Sequence, residues 1–131
     1  MAGTGITSKG DVLSPQQAIE VVSVKWTSNG TGAVATATVV GRVGVVTRVT
    51  TGLYSIKLSS GYKTLLGFAP GFGNVARDDL SLIEDTANTN IANGNIRAIC
   101  YQEGNGVIDP PANTIVYLTL TVGTFNTTQG A

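Results

Sequence analysis

The chain has 131 residues, eight acidic and eight basic side chains, no histidine and one cysteine. The missing histidine excludes Ser-His and Cys-His nucleophile pairs and imidazole metal ligands, and the lone cysteine excludes an intrachain disulfide. Hydrophobic residues make up 42% of the chain and charged ones 12%, well under the usual ~25%, which leaves an unusually uncharged surface to cover.

Residues 1–14 are rich in Gly, Ser and Thr and read as a flexible N-terminal arm. They contain no apolar core of a secretory signal, so synthesis in a cytoplasm is expected. No apolar run approaches the ~18 residues of a membrane span, so no membrane partner is expected. Ser14-Pro15-Gln16-Gln17 carries a helix-start signature, but the β-branched stretch Ile19–Trp26 limits it to one turn before a strand.

A turn at Ser28–Gly32 leads to an expected strand over Ala33–Val40, a break at Gly41–Gly44 and a strand over Val45–Thr50. Thr51-Gly52 reverses the chain into Leu53–Ser59, a hairpin pattern. After a turn at Ser59–Gly61, a strand is expected over Tyr62–Phe68. Gly67, Pro70, Gly71 and Gly73 then predict a bend or bulge.

Residues 74–95 are the least readable. Asp78–Asp85 fits a strand or a short helix, and Thr86–Gly94 an Asn-rich loop. Strands resume at Ile96–Gln102 and Thr114–Phe125, and residues 126–131 form a polar tail. About eight strands with turns every 8–12 residues and almost no helix indicate an all-β sandwich, jelly roll or small barrel spanning 15–125. In the last strand Val116, Leu118, Leu120 and Val122 share one face; Ile115, Tyr117, Thr119 and Thr121 share the other. Both faces are semi-apolar, which suits one to the core and the other to a neighbouring subunit.

Candidate chemical sites are few. Asp78, Asp79, Glu84 and Asp85 could form an acid/base pair or hold a hard cation, but a solvated loop accounts for them better. Gly3-Thr4-Gly5 and Gly71-Phe72-Gly73 lack the strand–loop–helix setting of a phosphate loop. Asn29-Gly30-Thr31 and Asn126-Thr127-Thr128 match a glycosylation sequon by chance, given the absent secretory signal. Cys100 reads as a small core residue. The bases, among them Arg42, Arg48, Lys57 and Lys63, are dispersed, so no direct nucleic-acid contact is expected. No catalytic residue, cofactor or metal is assigned. The eight aromatics occupy alternating strand positions that suit core and interface packing, with Phe68 and Phe72 flanking Pro70 where display at an edge is expected.

Three stretches carry a family likeness: Val49-Thr50-Thr51-Gly52-Leu53-Tyr54-Ser55-Ile56-Lys57-Leu58, Leu65-Leu66-Gly67, and Asp109-Pro110-Pro111-Ala112-Asn113-Thr114-Ile115. They resemble the capsid decoration, or cement, proteins of tailed bacteriophages over about a third of the chain. The resemblance implies a jelly-roll homotrimer on the outer capsid surface of a virion, bound across subunits of the major capsid protein and reinforcing the shell. It implies no catalytic residue. Under it, the oligomer or capsid interface falls on Ile115, Tyr117 and Thr119 of the last strand, on Phe68 and Phe72, and on Ile6, Val12 and Leu13 of an arm that orders on docking. A trimeric spike or glycan-binding module is the alternative, distinguished by copy number. A coat protein is the next, disfavoured by the missing basic arm.

Overall fold

The computed structural model describes residues 19–74 and 79–124. Period-2 burial governs the central strands of both sheets: successive side chains on a strand face opposite ways, and here one set is buried. Strand β1 (Ile19–Thr27) buries Val22, Val24 and Trp26 and turns Ile19, Val21, Ser23 and Lys25 outward. Strand β9 (Ile115–Gly123) buries Val116, Leu118, Leu120 and Val122, the face read from its sequence.

Two antiparallel sheets pack as a β-sandwich. The first has the order β2 (Val40–Gly41), β1, β9, β5 (Thr64–Gly73). The second has the order β3 (Val43–Thr50), β4 (Leu53–Leu58), β7 (Asn95–Gln102), β6 (Leu80–Glu84), with β8 (Gly106–Val107) beside β7. First and last strands pair over nine residues, from Ile19 opposite Gly123 to Thr27 opposite Ile115. The core lies between the sheets: Val22, Trp26, Leu118 and Leu120 from one side meet Tyr54, Ile56, Ile96 and Cys100 from the other. The Trp26 and Tyr54 rings sit 5.8 Å apart at 42°, a tilted aromatic pair.

Several local expectations change. Ala33–Val40 is not a strand; it forms a loop with a single 3-10 turn at Thr36–Thr38, and only Val40–Gly41 pairs with β1. Its centre, Ala35–Thr38, alternates Ala and Thr and buries no side chain, so only the flanking Val34 and Val39 pack against the core. Thr38 instead bonds locally, its Oγ1 donating to the Ala35 carbonyl and accepting from the Thr27 N–H. Gly41 is paired rather than a break, and Gly44 lies inside β3, where the register shifts.

Strand β5 continues through Pro70, Gly71 and Gly73 to ten residues. It is an edge strand, bonded to β9 on one side, so the missing proline N–H need not interrupt a second ladder. The irregularity comes earlier, between Leu65 and Gly67. Residues 80–84 are strand, and the Asn-rich loop contains a 3-10 turn at Ile91–Asn93 with Asn90 accepting from the Asn93 N–H. The arm, the Ser14 helix start, Asp78, Phe125 and the polar tail lie outside the described residues.

Candidate functional site

The outward face of the first sheet is built row by row from the strand register. Val40 lies opposite Lys25, Lys25 opposite Tyr117, and Tyr117 opposite Gly71. The next rows are Ser23, Thr119 and Ala69, then Val21, Thr121 and Gly67. The expected interface residues Ile115, Tyr117 and Thr119 therefore do share one outward face. Tyr117 is 44% exposed, and its ring leans over β5: a Cβ on Gly73 would lie 3.0 Å from it. The Lys25 ammonium stands 6.0 Å from the ring centroid, at the limit of a cation–π contact.

Phe68 and Phe72 do not join that face. Their register partners are Leu120 and Val116, so both rings point between the sheets and pack half-buried against the core. The expectation of display at an edge is corrected: the strand is an edge, but these side chains face inward. Ile6, Val12 and Leu13 fall outside the described residues.

Sequence reading missed Ile19, Val21 and Val40, which stand out from the same face, Val21 at 61% exposure and Val40 at 56%. The signal for the first two was present. Trp26 fixes which parity of β1 is buried, and Ile19 and Val21 have the opposite parity.

The outward face of the second sheet is apolar in its middle. Leu53, Ile99 and Ile83 lie in one row across β4, β7 and β6, and Tyr101 with Val107 fills the adjoining end. Ile83 and Val107 are exposed. Lys57 and Arg97 flank this band on the same face. The Lys57 ammonium donates to the Asn93 carbonyl.

One end of the sandwich is tied by a charged latch. Arg48 donates from Nε and Nη2 to the two Asp109 oxygens at 2.9 and 2.8 Å, and the Gly52 N–H donates to Asp109 Oδ1 at 2.9 Å. Burial opposes the Asp109 carboxylate, but the Arg48 guanidinium and the Gly52 N–H outweigh it and hold its pKa below the ordinary 3.8. The hydrogen bond that Arg48 donates to Asp109 raises the guanidinium pKa above its usual value. Beside this latch Ser28 Oγ donates to the Pro110 carbonyl, and the Asn113 N–H to the Ser28 carbonyl. Two of the sequence stretches that carry the family likeness thus bind each other, and their role here is to hold the loops at one end. Burial drives the Tyr54 hydroxyl and the Cys100 thiol each up to about 12.

At the opposite end Arg42 bridges Glu20 and Tyr62, which raises its pKa through the Glu20 hydrogen bond. The other carboxylates are dispersed. Asp79 accepts from Gln102 Nε2, Glu84 sits at the end of β6, and Asp85 accepts from Asn88. Among the described residues no three Cys, Asp or Glu side chains converge as metal ligands would.

The chain matches no family model, no curated protein and no solved structure.

Proposed function

We propose that the protein is a structural subunit of a virion, coating the outer surface of a tailed-phage capsid as an oligomer bound across major capsid protein subunits. The observation that carries this reading is the pair of outward sheet faces, both apolar in part. A solitary sandwich needs one apolar face per sheet, and here each sheet has a second one. A subunit that touches its own copies with one surface and a shell with another uses both. Polyvalent attachment to a repeating shell multiplies modest contacts, so neither face has to bind tightly alone.

The resemblance of the Thr51–Leu58, Leu65–Gly67 and Asp109–Thr114 stretches to decoration proteins supports the same reading and its homotrimeric form. We read the wrapping, with first and last strands paired and the β2–β3, β4–β5, β5–β6 and β8–β9 connections crossing between sheets, as a shortened jelly roll. Cryo-electron microscopy of particles containing this chain tests the proposal. Hundreds of copies on the outside of the shell are expected. A few dozen copies or fewer at a vertex or tail would make it a spike module, and copies lining the interior would overturn the decorating role.

A further inference from the structure

We infer that Asn105-Gly106, at the tip of the β7–β8 hairpin, is a site of spontaneous covalent modification. Water converts the Asn105 amide to an acid with loss of ammonia, while the fold protects the same dipeptide elsewhere in the chain. The inference goes beyond the assembly reading and stands whether or not the chain coats a shell.

The sequence holds three Asn-Gly pairs, at 29–30, 93–94 and 105–106. A glycine after asparagine leaves the next amide nitrogen unhindered and its backbone free to turn. In the first step the glycine N–H loses its proton to hydroxide, and the nitrogen attacks the asparagine Cγ. A new C–N bond forms, the Cγ–Nδ2 bond breaks, and Nδ2 takes a proton from water and leaves as ammonia. Water then opens the cyclic imide at either carbonyl. One opening gives an aspartyl residue, the other an isoaspartyl residue whose main chain runs through the side-chain carbon. Water and hydroxide are the only reagents. The glycine nitrogen must swing toward the asparagine side chain, so a turn clamped from outside is protected.

Two of the three turns are clamped. The Gly30 N–H donates to the Oγ of buried Ser28 at 3.1 Å, and a Cβ on Gly30 would lie 3.7 Å from the Ala112 Cβ in the loop beside it. Asn29 Nδ2 donates to the Ala33 carbonyl, and the Asn29 carbonyl accepts from the Gly32 N–H. Gly94 is buried, its N–H donates to the Ile91 carbonyl at 2.9 Å, and its carbonyl accepts from the Leu58 N–H. A Cβ there would lie 2.5 Å from the Ser60 carbonyl, and the Asn93 carbonyl is taken by the Lys57 ammonium.

The third turn stands clear of the body. Residues 103–107 are all exposed, and a Cβ added to Gly104 or Gly106 would meet no atom within 4 Å. Gly106 lies opposite Gln102 on the outermost rung of a two-residue strand, where pairing opens first. Asn105 bonds only within this hairpin: its N–H donates to the Gln102 carbonyl, and its Nδ2 to Gln102 Oε1 at 2.6 Å. The tip can therefore bend without disturbing the core. Conversion turns that Nδ2 donor into a carboxylate oxygen facing another acceptor, so the bond to Gln102 Oε1 is lost. It also takes the formal net charge of the chain from 0 to −1.

The test incubates the full chain at mildly alkaline pH, once native and once in urea, and follows its peptides by mass spectrometry. Electron-transfer fragmentation separates the aspartyl from the isoaspartyl product. In the native protein Asn105 should convert about tenfold faster than Asn29 or Asn93, and in urea the three rates should converge. Asn105→Ser should abolish the acidic band that grows in isoelectric focusing of the native protein. Equal native rates at the three sites, faster conversion at Asn29 or Asn93, or the same order of rates persisting in urea would each overturn the inference. So would an Asn105 that stays intact in the native protein while the unfolded chain reacts. These outcomes are independent of the particle experiment: a chain absent from shells would sink the coating role and leave the modification site intact.

Discussion

Cys100 has a relative exposure of 0%, on the inward side of β7, with its thiol pKa pushed up to about 12 by burial and by the nearby Asp109 charge. The thiolate is the reactive form, so the native thiol is both shielded and protonated at neutral pH. Iodoacetamide is expected to leave it unmodified in the native protein and to label it fully in denaturant, read by mass spectrometry. Fast labelling of the folded chain would place Cys100 outside the core. Residue-scale chemistry was legible in part: a small apolar role for Cys100 followed from its neighbours Ile99 and Tyr101. The latch partners were not legible, because Arg48 and Asp109 are far apart in sequence and meet only when β7 pairs with β4 and the segment after β8 lies along it.

At the scale of elements, the β3–β4 hairpin depends on Gly52. Its φ is +69°, and an added Cβ would lie 2.5 Å from Val107 Cγ1 and 2.8 Å from the Ile108 carbonyl. Gly52→Ala therefore meets both an unfavourable backbone region and a crowded one, and should destabilise the fold by about 1–3 kcal/mol in urea titrations. An unchanged midpoint would show that the turn relaxes freely. This hairpin was legible because Thr51-Gly52 separates two alternating runs. Strand β9 was legible for the same reason, its four large apolar residues falling on one parity. Ala33–Val40 misled because the Ala and Thr at its centre imitate a strand while burying nothing, leaving only Val34 and Val39 to pack on the core. Glycine and proline in β5 misled because their usual disruption depends on bonding from both sides, and sequence does not reveal which strand is an edge. The outward apolar face of the first sheet was legible on β9 alone. Val21 and Val40 joined it through register, and Phe68 and Phe72 left it for the same reason.

For the whole molecule, the Asp109 latch makes stability depend on acid. Its folded pKa lies below the unfolded value, so the folded state favours the ionised carboxylate. That contribution is complete above the unfolded pKa and disappears as pH falls through the folded one. Asp109→Ala should cost roughly 2–3 kcal/mol at pH 7, since it strips the partner from a largely buried pair and from the Gly52 N–H. The gap from the native protein's melting curves should begin to close only below about pH 4 and vanish once the pH has fallen below the folded pKa; a gap that stays constant to pH 2 would assign the loss to packing instead. The order of the first sheet has a further consequence, in time. Strand β9 lies between β1 and β5 and is their shared ladder partner, yet it is synthesised last of the three. At ~5–20 residues per second, β1 waits roughly 4–18 s for its long neighbour to leave the ribosome. During that interval Val22, Val24 and Trp26 have none of their β9 counterparts to pack against. A nascent chain arrested before Ile115 is thus an open half-sandwich, and it offers chaperones and proteases the surface that the finished fold keeps inside.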